Sequence, residues 1–216
     1  MGIVKILDIK EVKKFLLIFY CVAVIGFLIP VTYPYFKLLT PLALLMNVLL
    51  LINFHENWST KFILLSFFIL LASFFAEVIG VNTGFFFGNY TYGKILGPKL
   101  FNTPIIIAFN WIMLVYCIYI IICMLNIHTI LQIITGALML VIFDIVLEPS
   151  AINLGMWSWD NNHIPLSNSI TWFILSLIFL SVFKIFKITI KNNIALYILL
   201  YQFGLFIILL LFFYFV

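Results

Sequence analysis

The fold class is clearest from residues 129–149, TILQIITGALMLVIFDIVLEP. Fifteen uncharged residues open this stretch, as expected of a helix that crosses a bilayer, and Asp144 and Glu148 follow near its end. The i, i+4 spacing puts both carboxyl groups on one face of a helix. A charged side chain at membrane depth costs about 3 kcal/mol or more, so this pair indicates proton chemistry, ion passage or a buried pair.

The composition extends this interpretation to the whole chain. Of the 216 residues, 66% are hydrophobic and only 8% are charged, which is more apolar surface than a soluble core needs. We therefore predict an all-α, polytopic transmembrane helix bundle that forms one integral membrane domain over residues 1–216. Seven spans of about 20 apolar residues are predicted: 15–33, 38–54, 62–80, 104–125, 129–148, 169–186 and 194–215.

The eleven positive charges are all lysines, and their distribution predicts the orientation. With the N-terminus inside, eight lie in inner segments: Lys5, Lys10, Lys13, Lys14, Lys61, Lys184, Lys187 and Lys191. Only Lys37, Lys94 and Lys99 fall in outer segments. This bias predicts an N-in, C-out protein of a bacterial cytoplasmic membrane. The first apolar run lacks a small-residue cleavage site, so we expect it to be retained. No basic patch is interleaved with aromatics, which argues against nucleic-acid partners.

Two long connections, 81–103 and 149–168, are rich in Gly, Asn and aromatic residues and are predicted to fold back as caps over a one-sided pocket. They resemble each other at a constant offset of 67 residues. The aligned features are Glu77 with Asp144, Gly88 with Gly155, Tyr90-Thr91-Tyr92 with Trp157-Ser158-Trp159, and Pro98 with Pro165. This pattern predicts an internal duplication, residues 70–125 and 137–186, although chance similarity is the alternative.

The predicted topology brings the unusual polar groups to one depth. Glu77 ends the third span, Asn110 lies near the start of the fourth, and Asp144 and Glu148 end the fifth. All four therefore fall in the outer half of the membrane, which favours one shared site. Two alternatives stay open here: the acids could only lock helices together through hydrogen bonds, and Trp111 could be a packing or interfacial aromatic.

Several site classes are disfavoured by what the sequence lacks. Three scattered histidines, His55, His128 and His163, do not supply the ligands of a membrane di-iron oxygenase. The sequence contains no GxGxxG or P-loop motif, and the last predicted span has no lysine for a retinal Schiff base. Cys21, Cys117 and Cys123 have no metal-type spacing and are interpreted as packing residues. We therefore expect no metal and no cofactor.

Two stretches resemble the signatures of the carotenoid biosynthesis membrane-protein family, which includes carotenoid hydratases. The first is AEVIGVNTGFFFGNYTYG, residues 76–93, followed by Pro104 and Asn110-Trp111. The second is FDIVLEPSAINLGMWSW, residues 143–159, followed by HIPLSNSITWF. The resemblance covers roughly residues 73–175. It implies a multi-span enzyme that adds water to the terminal double bond of a long isoprenoid. The residues on family motif positions are Glu77, Asp144, Glu148, Trp157 and Trp159.

Such a hydration needs a proton donor that is neutral at physiological pH, a pocket that tolerates a tertiary cation, and a water. Burial disfavours a charged carboxyl, and two adjacent carboxyls titrate together. We predict that Asp144 or Glu148 donates the proton, and that the other carboxyl or Glu77 orients the water and takes its proton. Predicted substrate contacts are Asn110, Trp111, Tyr90, Tyr92, Trp157 and Trp159, with aromatic faces toward the cation. The partners would be a carotenoid or other long isoprenoid from the bilayer, membrane lipid and water.

Two other functions use the same residues. A proton-coupled transporter would also need intramembrane acids, and a duplicated bundle suits one. The predicted inner halves of spans three to five are almost purely apolar, with Ser66, Gln132 and Thr135 as the main exceptions, which favours a one-sided pocket over a through-path. A non-catalytic protein that binds lipid or isoprenoid is the other alternative.

Overall fold

The computed structural model describes residues 7–215, and most of these residues lie in seven helices. The helices are α1 Ile9–Leu28, α2 Tyr33–Phe54, α3 Thr60–Thr83, α4 Ile106–Met124, α5 Thr129–Leu154, α6 Leu166–Ile185 and α7 Ala195–Phe215. Four short strands are β1 Tyr90–Tyr92, β2 Lys99–Leu100, β3 Thr103–Pro104 and β4 Trp157–Trp159, and a 3₁₀ turn covers Asp160–Asn162. The predicted all-α polytopic bundle is confirmed.

Helices α2 to α7 are long and apolar enough to cross a membrane. Helix α1 is not among these six, because Lys10, Glu11, Lys13 and Lys14 lie within its first turns. The predicted first span, 15–33, is therefore a helix that begins earlier and carries charge at its start. Lys5, counted in the orientation argument, lies outside the described residues. The orientation itself stays a prediction.

Helix α5 continues past Pro149 to Leu154, so the predicted end at residue 148 was wrong. Proline removes one backbone donor and leaves the Ile145 carbonyl without its helical partner, but it does not have to end a helix whose next turn is held. The Asn153 amide donates to the Pro149 carbonyl at 2.8 Å, and the Tyr33 hydroxyl donates to the Asn153 carbonyl at 2.9 Å. These bonds secure the last turn of α5 against the start of α2.

Helix α4 forms the centre of the bundle and packs against α2, α3, α5, α6 and α7. It is buried on nearly every side, including at Leu114, Val115 and Cys117. Cys117 therefore has the packing role that the sequence predicted, whereas Cys21 and Cys123 are exposed. The outer helices expose large apolar side chains, as helices in contact with lipid do.

The two long connections meet at one end of the bundle. Strands β1 and β4 pair antiparallel, with Tyr90 opposite Trp159 and Tyr92 opposite Trp157. Because side chains alternate along a strand, these four aromatic residues share one face, which is turned toward the helices. The connections run from 84 to 105 and from 155 to 165, so both are shorter than the sequence predicted.

Gly93 is expected to tolerate no side chain. A Cβ atom built there would lie 2.0 Å from the Gly155 carbonyl oxygen, which is backbone and cannot move aside. Gly93→Ala is therefore expected to separate the two connections and lower the thermal unfolding temperature in detergent. Gly204→Ala is the control, since nothing lies within 4 Å of the new methyl group and alanine favours a helix by about 0.5–1 kcal/mol. Equal unfolding temperatures for the two variants would contradict this reading of the connections.

Candidate active site

Three carboxyl groups from two helices line one small cavity beneath the paired strands. Glu77 comes from α3, and Asp144 and Glu148 come from α5. They are 4%, 1% and 3% exposed, so all three are withdrawn from lipid and solvent. The cavity has a volume of about 30 Å³ and is lined by Glu77, Phe87, Tyr90, Tyr92, Ile107, Asn110, Trp111, Asp144, Leu147, Glu148, Trp157, Trp159, Asn168 and Trp172. The structure thus brings together every residue that the sequence predicted for the site.

Glu77 is held by three donors. The Tyr90 and Tyr92 hydroxyls donate to its Oε2 at 2.6 and 2.7 Å, and the Trp111 Nε1–H donates to its Oε1 at 2.9 Å. The Trp111 ring also stacks on Trp172, with ring centroids 4.0 Å apart. Trp111 is therefore both a packing residue and a polar partner of the acid.

Burial raises the pKa of both Tyr90 and Tyr92, and the Glu77 carboxyl raises it further. Both phenols thus stay protonated throughout the physiological range. Neutral phenols can only donate to an ionised carboxylate, because such a carboxylate has no proton to give. The two hydroxyl donors on Oε2 are therefore those expected around a negatively charged Glu77.

Glu148 is held in the same way from the other connection. The indole N–H groups of Trp157 and Trp159 both donate to its Oε2 at 2.9 Å, and the Asn168 amide donates to its Oε1 at 3.2 Å. The two sets of aromatics are in contact, since the Tyr90 and Trp159 ring centroids are 5.0 Å apart. One aromatic sheet therefore fixes Glu77 and Glu148 at the same time.

Asp144 is held far less than the other two acids. Among residues 7–215 its carboxyl group receives one side-chain hydrogen bond, from the Asn168 amide to Oδ2 at 2.8 Å. The same amide nitrogen reaches Glu148, so Asn168 bridges the two acids of α5. A buried carboxyl with few donors and another acid beside it gains little from ionising. The arrangement therefore separates one weakly held acid from two strongly held carboxylates.

The aromatic residues present their polar ends to the site. Tyr90, Tyr92, Trp157 and Trp159 were predicted to turn ring faces toward a cation, and the structure shows their O–H and N–H groups directed at carboxylates. Contact of their faces with a substrate stays a prediction. Asn110 is buried and makes no side-chain hydrogen bond among the described residues, so its amide is free to bind a molecule in the cavity.

Sequence reasoning missed Asn168 and Trp172, although both line the cavity. The sixth span was predicted to begin at residue 169, which put Asn168 in a loop, whereas α6 begins at Leu166. The available signal was an asparagine one residue before a long apolar run. Burying an amide at this position costs free energy unless the amide is hydrogen-bonded, as it does at Asn110. The sequence could therefore have prompted a search for a polar partner of Asn168.

Tyr92→Phe is expected to remove one of the two hydroxyl donors of Glu77 without changing the ring. Tyr90 still donates to the same oxygen, but a hydrogen bond to a charged group contributes about 1.5–3 kcal/mol, so the unfolding temperature in detergent should fall. The control is Tyr35→Phe, because Tyr35 is exposed on α2. A Tyr92→Phe protein that unfolds at the same temperature as the Tyr35→Phe protein would show that the hydroxyl does not stabilise the site.

Comparisons with known proteins identify the family of the chain. A family model described as carotenoid biosynthesis protein matches residues 33–216. The bisanhydrobacterioruberin hydratase of Haloarcula japonica is 28% identical to this chain over 110 residues. That alignment covers 47% of the chain and 38% of the relative, so less than half of either protein is aligned. No solved structure matches the chain. The family match takes in α2 to α7 and both connections, and the chain therefore belongs to the carotenoid biosynthesis protein family.

Proposed function

We propose that this protein is a carotenoid hydratase that adds water to a terminal carbon–carbon double bond. The observation that carries the proposal is the set of three buried carboxyl groups, held by unequal numbers of donors, around one cavity. The family of the chain, and the hydratase activity for which its distant relative is named, support the substrate class and the reaction.

Asp144 is the proton donor in this proposal. Protonation of an unactivated alkene requires a carboxyl that still carries its proton, since the alkene is a very weak base. Asp144 accepts one hydrogen bond, whereas Glu77 and Glu148 each accept three. Hydrogen bonds donated to a carboxylate favour its charged form. In this proposal Asp144 is therefore the acid that keeps its proton.

The reaction balances with water as the second reactant. The π electrons of the double bond form a new bond between its less substituted carbon and the Asp144 proton. The other carbon becomes a tertiary cation, and Asp144 becomes a carboxylate. Water attacks that cation and becomes a strongly acidic oxonium group. Because such a group gives up its proton readily, a weakly basic carboxylate such as Glu77 or Glu148 is sufficient to accept it. Return of that proton to Asp144 completes the cycle with no cofactor.

The cavity has room for water but not for the substrate in this conformation. One water molecule needs roughly 10–15 Å³ of free cavity volume, so a cavity of about 30 Å³ accommodates about two water molecules. Side chains that line the cavity must move before the end of an isoprenoid can enter it. Anionic Glu77 and Glu148 on the cavity wall also stabilise a cation that forms there, as oppositely charged groups fixed before the reaction do.

Pigment analysis in a host that makes a linear carotenoid tests the proposal. Cells that express the chain should accumulate pigments heavier by one water for each hydrated end, and cells with an empty vector should not. Chromatography and mass spectrometry give the measurement. Unchanged pigments, with the protein present in the membrane, would contradict hydratase activity and favour transport or simple binding.

A further inference from the structure

Asn110 lines the acid cavity with both ends of its amide uncommitted. It comes from α4, which packs against α3 and α5, the two helices that carry the acids. The next residue, Trp111, holds this part of α4 beside Glu77, because its indole N–H donates to that carboxylate at 2.9 Å. The Asn110 Oδ1 and Nδ2 atoms make no hydrogen bond among the described residues. Both atoms keep accessible surface, since Asn110 is 8% exposed and neither atom is among the sealed, unpaired polar atoms of the described chain.

The other polar side chains of the lining are occupied with the acids or can only donate. Five O–H and N–H groups of aromatic residues donate to Glu77 or Glu148. The Asn168 amide group donates to both acids of α5. The indole of Trp172 has no acceptor among the described residues, but an indole offers a donor alone. Apart from the acids, Asn110 is therefore the one described lining side chain whose donor and acceptor are both uncommitted.

A water molecule that reacts in this cavity needs such a side chain. A buried water typically makes about three hydrogen bonds, and Phe87, Ile107 and Leu147 in the lining offer none. To attack a cation, the water must keep one lone pair free, so acceptors have to hold its two hydrogens. A carboxylate is one acceptor, and the Asn110 Oδ1 atom is the other. Because a neutral amide is neither an acid nor a base at physiological pH, it orients the water without competing for the Asp144 proton.

We propose that Asn110 is a positioning residue that holds the attacking water and so determines which product the cation gives. The inference rests on the hydratase function proposed above. Capture of the tertiary cation by the held water gives the alcohol. Loss of a proton from a carbon next to the cationic centre, to the Glu77 or Glu148 carboxylate, instead gives back a carbon–carbon double bond with no net addition. Water held by Asn110 beside the cation favours the first product.

Asn110→Leu separates protonation of the alkene from capture by water. Leucine has nearly the same size and makes no hydrogen bond, and it removes a buried unpaired amide, so the variant should unfold at or above the temperature of the unmodified protein. The purified proteins are incubated with a linear carotenoid in heavy water, where Asp144 delivers a deuteron. The variant should form at least about tenfold less hydrated product. The carotenoid recovered from it should carry at least as much deuterium as that recovered from the unmodified protein, as mass spectrometry measures.

Asn126→Leu is the matched control, because it makes the same change at an exposed position just beyond the other end of α4. It should hydrate as the unmodified protein does. Equal hydration by Asn110→Leu and Asn126→Leu would overturn the role of Asn110 while leaving the hydratase function intact. Loss of both hydration and deuterium uptake in Asn110→Leu would overturn it too, since Asn110 would then be needed before the cation forms.

Asn110→Ser tests whether the polarity of the side chain is what matters. Serine keeps a donor and an acceptor on a smaller side chain, so this variant should recover part of the hydration that Asn110→Leu loses. A folded serine variant that forms no more hydrated product than the leucine variant would overturn water binding by Asn110. Absence of hydrated product with the unmodified protein would instead reject the hydratase function, and this inference with it.

Discussion

Asp144→Asn is expected to abolish water addition while leaving the protein folded. Asparagine has the same shape but no acidic proton, and loss of a general acid typically costs about 10²–10⁴-fold in rate. The fold should tolerate the change, because Asp144 accepts one bond, from Asn168, and an amide oxygen can accept it equally well. The measurement is the yield of hydrated pigment, together with the unfolding temperature in detergent.

Asp160→Asn is the matched control for this variant. It makes the same chemical change at an exposed position beyond β4. It should hydrate as the unmodified protein does. Full activity in Asp144→Asn would show that another group donates the proton. A much lower unfolding temperature for Asp144→Asn would show that Asp144 has a structural role, which was one alternative left open by the sequence.

Glu77→Gln is expected to damage both activity and stability. Both oxygens of Glu77 face donors, two phenols on Oε2 and one indole on Oε1. An amide supplies one acceptor and one NH₂ group. With its oxygen toward Trp111, the NH₂ group faces the two phenols, whose hydroxyl groups must turn to accept from it. The variant exchanges hydrogen bonds to a charged carboxylate, which contribute about 1.5–3 kcal/mol each, for weaker bonds between neutral groups. The variant also loses the negative charge that would stabilise the cation, so hydration should fall by about 10²-fold or more.

The two variants together separate chemistry from structure. A lower unfolding temperature is expected for Glu77→Gln and not for Asp144→Asn, although both changes replace an acid by its amide. If Glu77→Gln unfolded at the same temperature as the unmodified protein, the three-donor network around Glu77 would not be a stabilising feature. If it also retained full hydration, Glu77 would have no part in the reaction.

The alternating direction of successive spans was enough to predict that Glu77, Asn110, Asp144 and Glu148 lie at the same end of the bundle. Antiparallel helices return polar residues to the same end of a bundle, and the structure shows one cavity lined by all four. The aromatic residues were also found, because they stand at matching places in two similar loops. What the sequence could not provide was the hydrogen-bond partner of each acid, since that depends on side-chain directions at a pairing of two distant strands.

Helix ends were the weakest part of the prediction. Proline at 149 suggested a helix stop, and the real end is Gly155, which adopts a left-handed conformation with φ of 74°. The extra turn changes how the predicted repeat aligns. Glu77 lies seven residues before Gly84, the glycine that ends α3, and Glu148 lies seven residues before Gly155. Alignment on these two helix-ending glycines thus pairs Glu77 with Glu148, whereas the 67-residue offset of the loops pairs Glu77 with Asp144.

This second alignment is consistent with the hydrogen bonds. Tyr90 and Tyr92 hold Glu77, and Trp157 and Trp159, which pair with them across the strands, hold Glu148. The duplication itself stays a prediction. In this alignment Asp144 has no acidic counterpart, because the matching residue of α3 is the buried Ser73. The residue proposed as the proton donor is thus the one that departs from the symmetry.

The most direct test of the account is the origin of the oxygen in the product. Purified protein is incubated with a linear carotenoid in water enriched in the heavy oxygen isotope, and the product is examined by mass spectrometry. The account predicts one labelled oxygen and two added hydrogens at each reacted end with the unmodified protein, and none with Asp144→Asn. An unlabelled oxygen at the reacted end, or an unchanged carotenoid after incubation with folded protein, would contradict acid-catalysed hydration in this cavity.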